Sequence, residues 1–155
     1  MARAFFSLGS NVGDRAAWLQ LALDTVIRGE TAWVSSVYET EPVGGVPQDD
    51  YWNMVVGIDT AATPPALLAR AHDAEMAAGR VRDVRWGPRT LDVDVLLVEG
   101  VTSDDPVLTL PHPRMHERAF VLIPLAEIAP ELVTPAQLAA AQGEVRALGT
   151  LQTLR

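Results

Sequence analysis

Residues 85–98 read RWGPRTLDVDVLLV. From Leu91 to Val98 the stretch is branched apolar side chains interrupted by Asp92 and Asp94, behind a Gly-Pro turn, and ends in the run Val95–Val98, which reads as a mostly buried β-strand. Upstream of it, Thr63 and Pro64 open a helical run, ALLARAHDAEMAA, that Gly79 ends. Before that helix, Tyr51–Asp59 (YWNMVVGID) reads as another strand. The quoted stretch therefore closes a β-α-β unit.

The first half of the chain repeats the order. Ala2–Leu8 (ARAFFSL) is a short strand ending at Gly9, and GSNVGD is a turn. Asp14 caps a helix from Arg15 to Arg28, with an apolar stripe at Trp18, Leu21, Ala22, Thr25 and Val26. Thr31–Tyr38 (TAWVSSVY) alternates as a strand, and a Pro- and Gly-rich loop, ETEPVGGVPQDD, leads to Tyr51. After Val98 come a short extended piece, a turn and one short helix; Thr134, Pro135 and Gln137 then open a last helix with a capping-box pattern. The order β-α-β-β-α-β predicts a ferredoxin-like α+β sandwich with a helical C-terminal extension, one domain over 1–155. Enzymes, RNA-binding modules and regulatory domains share that fold, so function must be read from side chains.

Composition removes several classes. The chain has 155 residues and a net charge of −8, which disfavours nucleic acid and anionic membrane surfaces as partners. No apolar run approaches the ~20 residues that cross a bilayer. The N-terminus lacks the pattern of a signal peptide, and cysteine is absent; both suit the cytoplasm and exclude thiolate chemistry. Lysine is absent too, which excludes a Walker-type lysine and a Schiff base. All twelve basic residues are arginine, and six of them (Arg80, Arg82, Arg85, Arg89, Arg114, Arg118) fall between 80 and 118. Composition alone would make that cluster a solvated face.

The quoted strand argues otherwise. Asp92 and Asp94 are two apart and so share one face, roughly 6–7 Å apart at the backbone. Aspartate is a poor strand former, and two carboxylates in a buried strand repel each other, so a cation is the natural compensation. Hard oxygen ligands select Mg²⁺ or Mn²⁺, and carboxylates at this spacing can bracket two ions. Mg²⁺ held this way completes its shell with water and phosphate oxygens, which gives the upstream arginines their use. His112 and Arg118 in LPHPRMHER add two further phosphate donors. Tyr51 and Asn53 also share a face; an aromatic plane beside a carboxamide suits a flat heterocycle with mixed polar edges, and equally an ordinary strand with a core aromatic. A metal-dependent phosphohydrolase would need the acids but not Tyr51 and Asn53, and a non-catalytic binding module would need no acid pair.

Together these residues resemble the 6-hydroxymethyl-7,8-dihydropterin pyrophosphokinases of folate biosynthesis. The resemblance rests on RWGPRTLDVDVLLV at 85–98, SLGSN at 7–11, YETEP at 38–42, PQDDYWN at 47–53, GRVR at 79–82 and LPHPRMHERAFVLIPLAEIAPEL at 110–132, in register over about residues 4–133. It implies diphosphate transfer from ATP to the pterin hydroxymethyl group, with AMP released and two Mg²⁺ ions held by Asp92 and Asp94. It further implies that Arg82 and Arg89 bind phosphates, Arg82 from a loop that closes over the site, with Trp86 on that loop above both substrates. His112 and Arg118 would contact the triphosphate, Thr109 and Val95 the nucleoside, and His72 and Glu75 also ATP. The pterin would stack between Tyr51 and Phe120, with Asn53 and main-chain groups at Thr40, Pro42 and Val43 reading its edge. A cytoplasmic monomer is expected.

Overall fold

The computed structural model describes residues 1–42, 47–79 and 90–154. In chain order these form β1 (Ala2–Ser10), α1 (Arg15–Val26), β2 (Ala32–Val34), β3 (Val37–Thr40), β4 (Tyr51–Thr60), α2 (Pro64–Ala77) and β5 (Asp92–Val98). Beyond them lie a hairpin of β6 (Ser103–Asp105) and β7 (Leu108–Leu110), then α3 (Ala119–Ile128), α4 (Pro135–Ala140), β8 (Val145–Gly149) and α5 (Leu151–Leu154).

The main sheet has the order β5-β1-β4-β3-β8, with β2 also paired to β4, and every pairing is antiparallel. Counting β2 and β3 as one, the four core strands stand fourth, first, third, second, which is the ferredoxin-like order. The caps follow the sequence: Asp14 accepts from the Ala17 N–H, Thr63 from Ala66, and Thr134 with Gln137 forms the expected capping box. Each satisfies an orphan donor of a first turn.

Four expectations need correction. Strand β1 runs to Ser10, past the Gly9 taken as its end. The buried stripe of α1 is Ala16, Leu19, Ala22, Leu23 and Val26, about one residue round the helix from the one expected; Trp18 and Leu21 only flank it. The strand expected over 31–38 is broken at Ser35–Ser36. There Ser35 Oγ accepts the Val55 N–H at 2.9 Å, while the Ser36 N–H turns to the Glu127 carboxylate, 3.0 Å from both oxygens. Finally, the C-terminal extension is not purely helical: β8 adds a strand beside β3.

Side chains alternate across the sheet and make two cores. On one face Ala4, Phe6, Leu8, Met54, Val56, Ile58, Val93 and Val95 pack under α1 and α2. On the other, Phe5, Val55 and Leu96 pack under α3. Glu127 of α3 fixes that helix to the sheet, accepting also from the Tyr38 hydroxyl at 2.6 Å. Helix α3 packs on the Phe5 end of this second face, and only its first turn reaches toward the other end, where the site lies.

Candidate active site

The register of three strands builds the floor. Gly9 of β1 is paired with Asn53 of β4 on one side and Asp92 of β5 on the other. One step along, Ser7 stands between Val55 and Asp94. The central strand thus contributes only a hydroxymethyl and a hydrogen to this face, and a concavity of about 750 Å³ opens above it. Asp92 and Asp94, both half-buried, form one wall. Tyr51, Thr40 and the buried Asn53 form the opposite one.

Asn53 is held tightly. Its Nδ2 donates to Thr40 Oγ1 at 2.7 Å, which sets the carboxamide and turns Oδ1 toward Gly9. A Cβ on Gly9 would lie 2.7 Å from that oxygen, so glycine is required here by close approach. The loop that delivers Tyr51 is pinned from several sides: Asn11 Nδ2 donates to Gln48 Oε1 at 2.7 Å and to the Asp49 carbonyl at 2.8 Å, and Arg15 donates to the Asp50 carbonyl at 2.9 Å.

The roof comes from the start of α3 and the turn before it. Arg114, His116, Glu117, Arg118 and Phe120 all line the cavity, and the Arg118 guanidinium lies 5.5 Å from the centre of the Phe120 ring. Residues 140–145 close the remaining side.

Seven of the site residues expected from the sequence thus share one cavity: Asp92, Asp94, Tyr51, Asn53, Thr40, Arg118 and Phe120. Val43, Arg82, Trp86 and Arg89 lie outside the described residues. Pro42 follows the lining residue Glu41 and is not itself in the wall. Val95 is buried on the α1/α2 side, and Thr109 on β7 donates its hydroxyl to the Asp105 carbonyl at 3.1 Å. His72 is exposed on α2, on the sheet's other face. Glu75, on the same helix, is buried behind β5 and accepts the Val93 N–H at 3.0 Å, at the residue between the two aspartates.

His112 stands at the outer edge of β5, its N–H donating to the Leu96 carbonyl at 2.7 Å. Burial, and after it the Arg118 and Arg114 charges, hold its imidazole below the usual histidine range, which favours the neutral form. Nδ1 accepts from the Arg114 N–H at 3.2 Å, which puts the ring proton on Nε2 and leaves one outward donor.

Sequence reasoning did not single out Ser7, Gly9, Arg114, His116, Glu117 or the 140–145 wall. SLGSN and LPHPRMHER both pointed to that neighbourhood; the role of Gly9 needed the register, and the wall needed a contact far along the chain.

Acids at one end and a fixed carboxamide beside an aromatic ring at the other suit an enzyme that moves a phosphate-bearing group onto a flat heterocycle. Comparison with known proteins defines the class further. Residues 5–130 match the family model described as 7,8-dihydro-6-hydroxymethylpterin-pyrophosphokinase (HPPK). A Methylorubrum extorquens protein named 2-amino-4-hydroxy-6-hydroxymethyldihydropteridine pyrophosphokinase is 49% identical over 136 residues, 86% of each chain. The Bacillus subtilis protein of that name is 45% identical over 132 residues, 83% of this chain and 79% of its own. Among solved structures, the Plasmodium falciparum HPPK-DHPS chain matches with a TM-score of 0.58 at 14% identity, which speaks to fold alone. That match covers 99% of this chain and 43% of the longer one.

The chain belongs to the 7,8-dihydro-6-hydroxymethylpterin-pyrophosphokinase family. Its activity is transfer of diphosphate from ATP to hydroxymethyldihydropterin in folate synthesis.

Proposed function

We propose that this transfer takes place in the cavity above Ser7 and Gly9, with the triphosphate over Asp92, Asp94 and Arg118 and the pterin over Tyr51 and Asn53. The observation that carries the reading is the row Asp92–Gly9–Asn53. An acid and a carboxamide flank a position without a side chain, two strand spacings or about 10 Å apart. Two substrates can therefore lie end to end on one floor.

At the pterin end Asn53 has spent one amide hydrogen on Thr40, and its oxygen is available to a ring N–H. Tyr51 and Phe120 offer the two flat faces, and Thr40 lies at the edge, where Pro42 and Val43 are assigned by family resemblance alone. At the phosphate end Arg118 presents a planar fork suited to phosphate oxygens, with Arg82, Arg89 and Trp86 assigned there by family resemblance. His112 offers its Nε2–H as a neutral donor. Thr109 and Val95 belong to the β5–β7 side, where the nucleoside would sit. Glu75 serves from behind, by holding the strand between its two acids; His72, expected beside it at ATP, occupies the exposed side of the same helix.

Asp92 and Asp94 would hold two Mg²⁺ ions. Their carboxylate oxygens suit that hard ion, whose shell water and phosphate oxygens would complete. When bound, Mg²⁺ neutralises charge on the transferring group. In the reaction a bond would form between the pterin hydroxyl oxygen and the β-phosphorus while the bond from that phosphorus to the α,β-bridging oxygen breaks; AMP leaves with that oxygen and its electron pair, and the hydroxyl proton is released to solvent.

Incubation with ATP, Mg²⁺ and the hydroxymethyl pterin should yield AMP one-for-one with pterin diphosphate, and little nucleotide turnover without pterin. ADP as the main product would overturn the reading. Because a Cβ at Gly9 meets Asn53 Oδ1, Gly9→Ala should raise the pterin KM by about tenfold through a displaced polar contact, with the ATP KM within about twofold. Equal effects on both substrates would remove Asn53 from the pterin's edge.

A further inference from the structure

The family match ends at residue 130, yet the cavity does not. Ala140, Gln142, Gly143, Glu144 and Val145 line it as directly as the aspartates do. The segment is anchored at both ends. The Gln142 N–H donates to the Glu117 carbonyl at 3.0 Å, and the Ala119 N–H donates to the Gln142 carbonyl at 3.1 Å. This bridge seats Gln142 opposite Arg118, beside Phe120. At the other end Val145 pairs with Thr40, itself paired with Tyr51 and bonded to Asn53. Next along, Arg146 reaches back to Glu39 and to Asp50 Oδ2, the latter at 3.1 Å, and so fixes β8 to the residue before Tyr51.

We infer that Gln142–Val145 is a substrate-contacting wall of the cavity and sets the fit of the heterocycle. The inference rests on the reading of this cavity as the pterin site. The segment runs from the Phe120 side to the Thr40 side, and so follows the pterin end of the cavity and not the aspartates. Its chemistry suits a ring with flat faces and polar edges. Half-buried Val145 gives an apolar contact next to Thr40, and Gln142 gives a carboxamide that both donates and accepts. The Gln142 side chain is exposed and belongs to neither core, so its function is separable from folding. A specificity contact of this kind lies within reach of a few point changes, since a pocket discriminates by contacts that one substrate completes and another does not.

The test uses the full-length protein and steady-state KM values for both substrates, with melting temperature as control. Gln142→Ala removes the carboxamide, Val145→Trp narrows the wall with a residue that strands accept, and Asn53→Ala serves as reference. The inference expects Gln142→Ala to raise the pterin KM by roughly three- to tenfold and Val145→Trp by about tenfold or more, with the ATP KM and melting temperature close to those of the parent. If Asn53→Ala raises the pterin KM and neither wall variant does, the wall is only a sheet edge and the inference fails while the cavity reading stands. If Asn53→Ala also leaves the pterin KM unchanged, the cavity reading fails and takes the inference with it. A rise confined to the ATP KM overturns it as well. Should Val145→Trp fold poorly, the exposed Gln142 position decides alone.

Discussion

Asp92→Ala and Asp94→Ala are each expected to lose about 10³-fold or more in single-turnover rate, because the charge on the transferring diphosphate would lose its neutralising partner. Melting should stay close to that of the parent. Both side chains are half-buried on a cavity wall, and each substitution removes one of two like charges on the same face. The isosteric Asp92→Asn and Asp94→Asn separate charge from shape: they should be nearly as impaired as the alanine variants, with Mg²⁺ requirement shifted to higher concentration. Turnover within about tenfold of the parent in either alanine variant would remove the pair from the metal site, since a lost metal contact is worth several kcal/mol.

Arg118→Ala should weaken ATP binding by roughly 10- to 100-fold, the scale of a lost hydrogen bond to a charged group. Direct titration with a non-reacting ATP analogue would measure it. Arg118→Lys should recover only part of the loss, since an ammonium lacks the planar fork that takes two phosphate oxygens at once. The pterin KM should rise by less than the nucleotide affinity falls, through the guanidinium's contact with Phe120. An ATP affinity unchanged in Arg118→Ala, with only the pterin KM raised, would make the residue a support for the aromatic ring and not a phosphate donor.

The parts of the fold and site that could be read from the sequence are those governed by short-range rules. Period-two alternation put Asp92 with Asp94 and Tyr51 with Asn53, and the register confirms that each pair shares a wall. Cap chemistry located the starts of α1, α2 and α4. What escaped depended on partners distant in the chain. Gly9 looked like a strand terminator because its lack of a side chain makes sense only opposite Asn53. The break at Ser35–Ser36 is invisible without Glu127, which lies 91 residues beyond Ser36. The segment VRALG has little apolar alternation and no fully buried residue, so nothing local marks it as β8; its pairing with β3 makes it a strand. The stripe of α1 was displaced because helices packed on a sheet and on a second helix have two buried flanks, and the sequence does not say which is deeper.

The strand at the C-terminus has a consequence for how the molecule behaves among its own copies. A sheet that stopped at β3 would present a ladder of unused amides and carbonyls, a ready template for stacking one molecule on the next. Strand β8 occupies that ladder and is itself a poor template. It is five residues long, carries a charged arginine, and ends at Gly149 with φ +114°, which turns the chain out of extension. The opposite rim is stopped differently, by the Glu75 carboxylate on the Val93 N–H and by the His112 N–H on the Leu96 carbonyl. The β3 rim is therefore covered by a poor template and the β5 rim is bonded at two of its groups, which disfavours edge-to-edge stacking of the folded chain. Shortening the chain within β8 would uncover the β3 rim and invite aggregation, independently of any effect on the reaction.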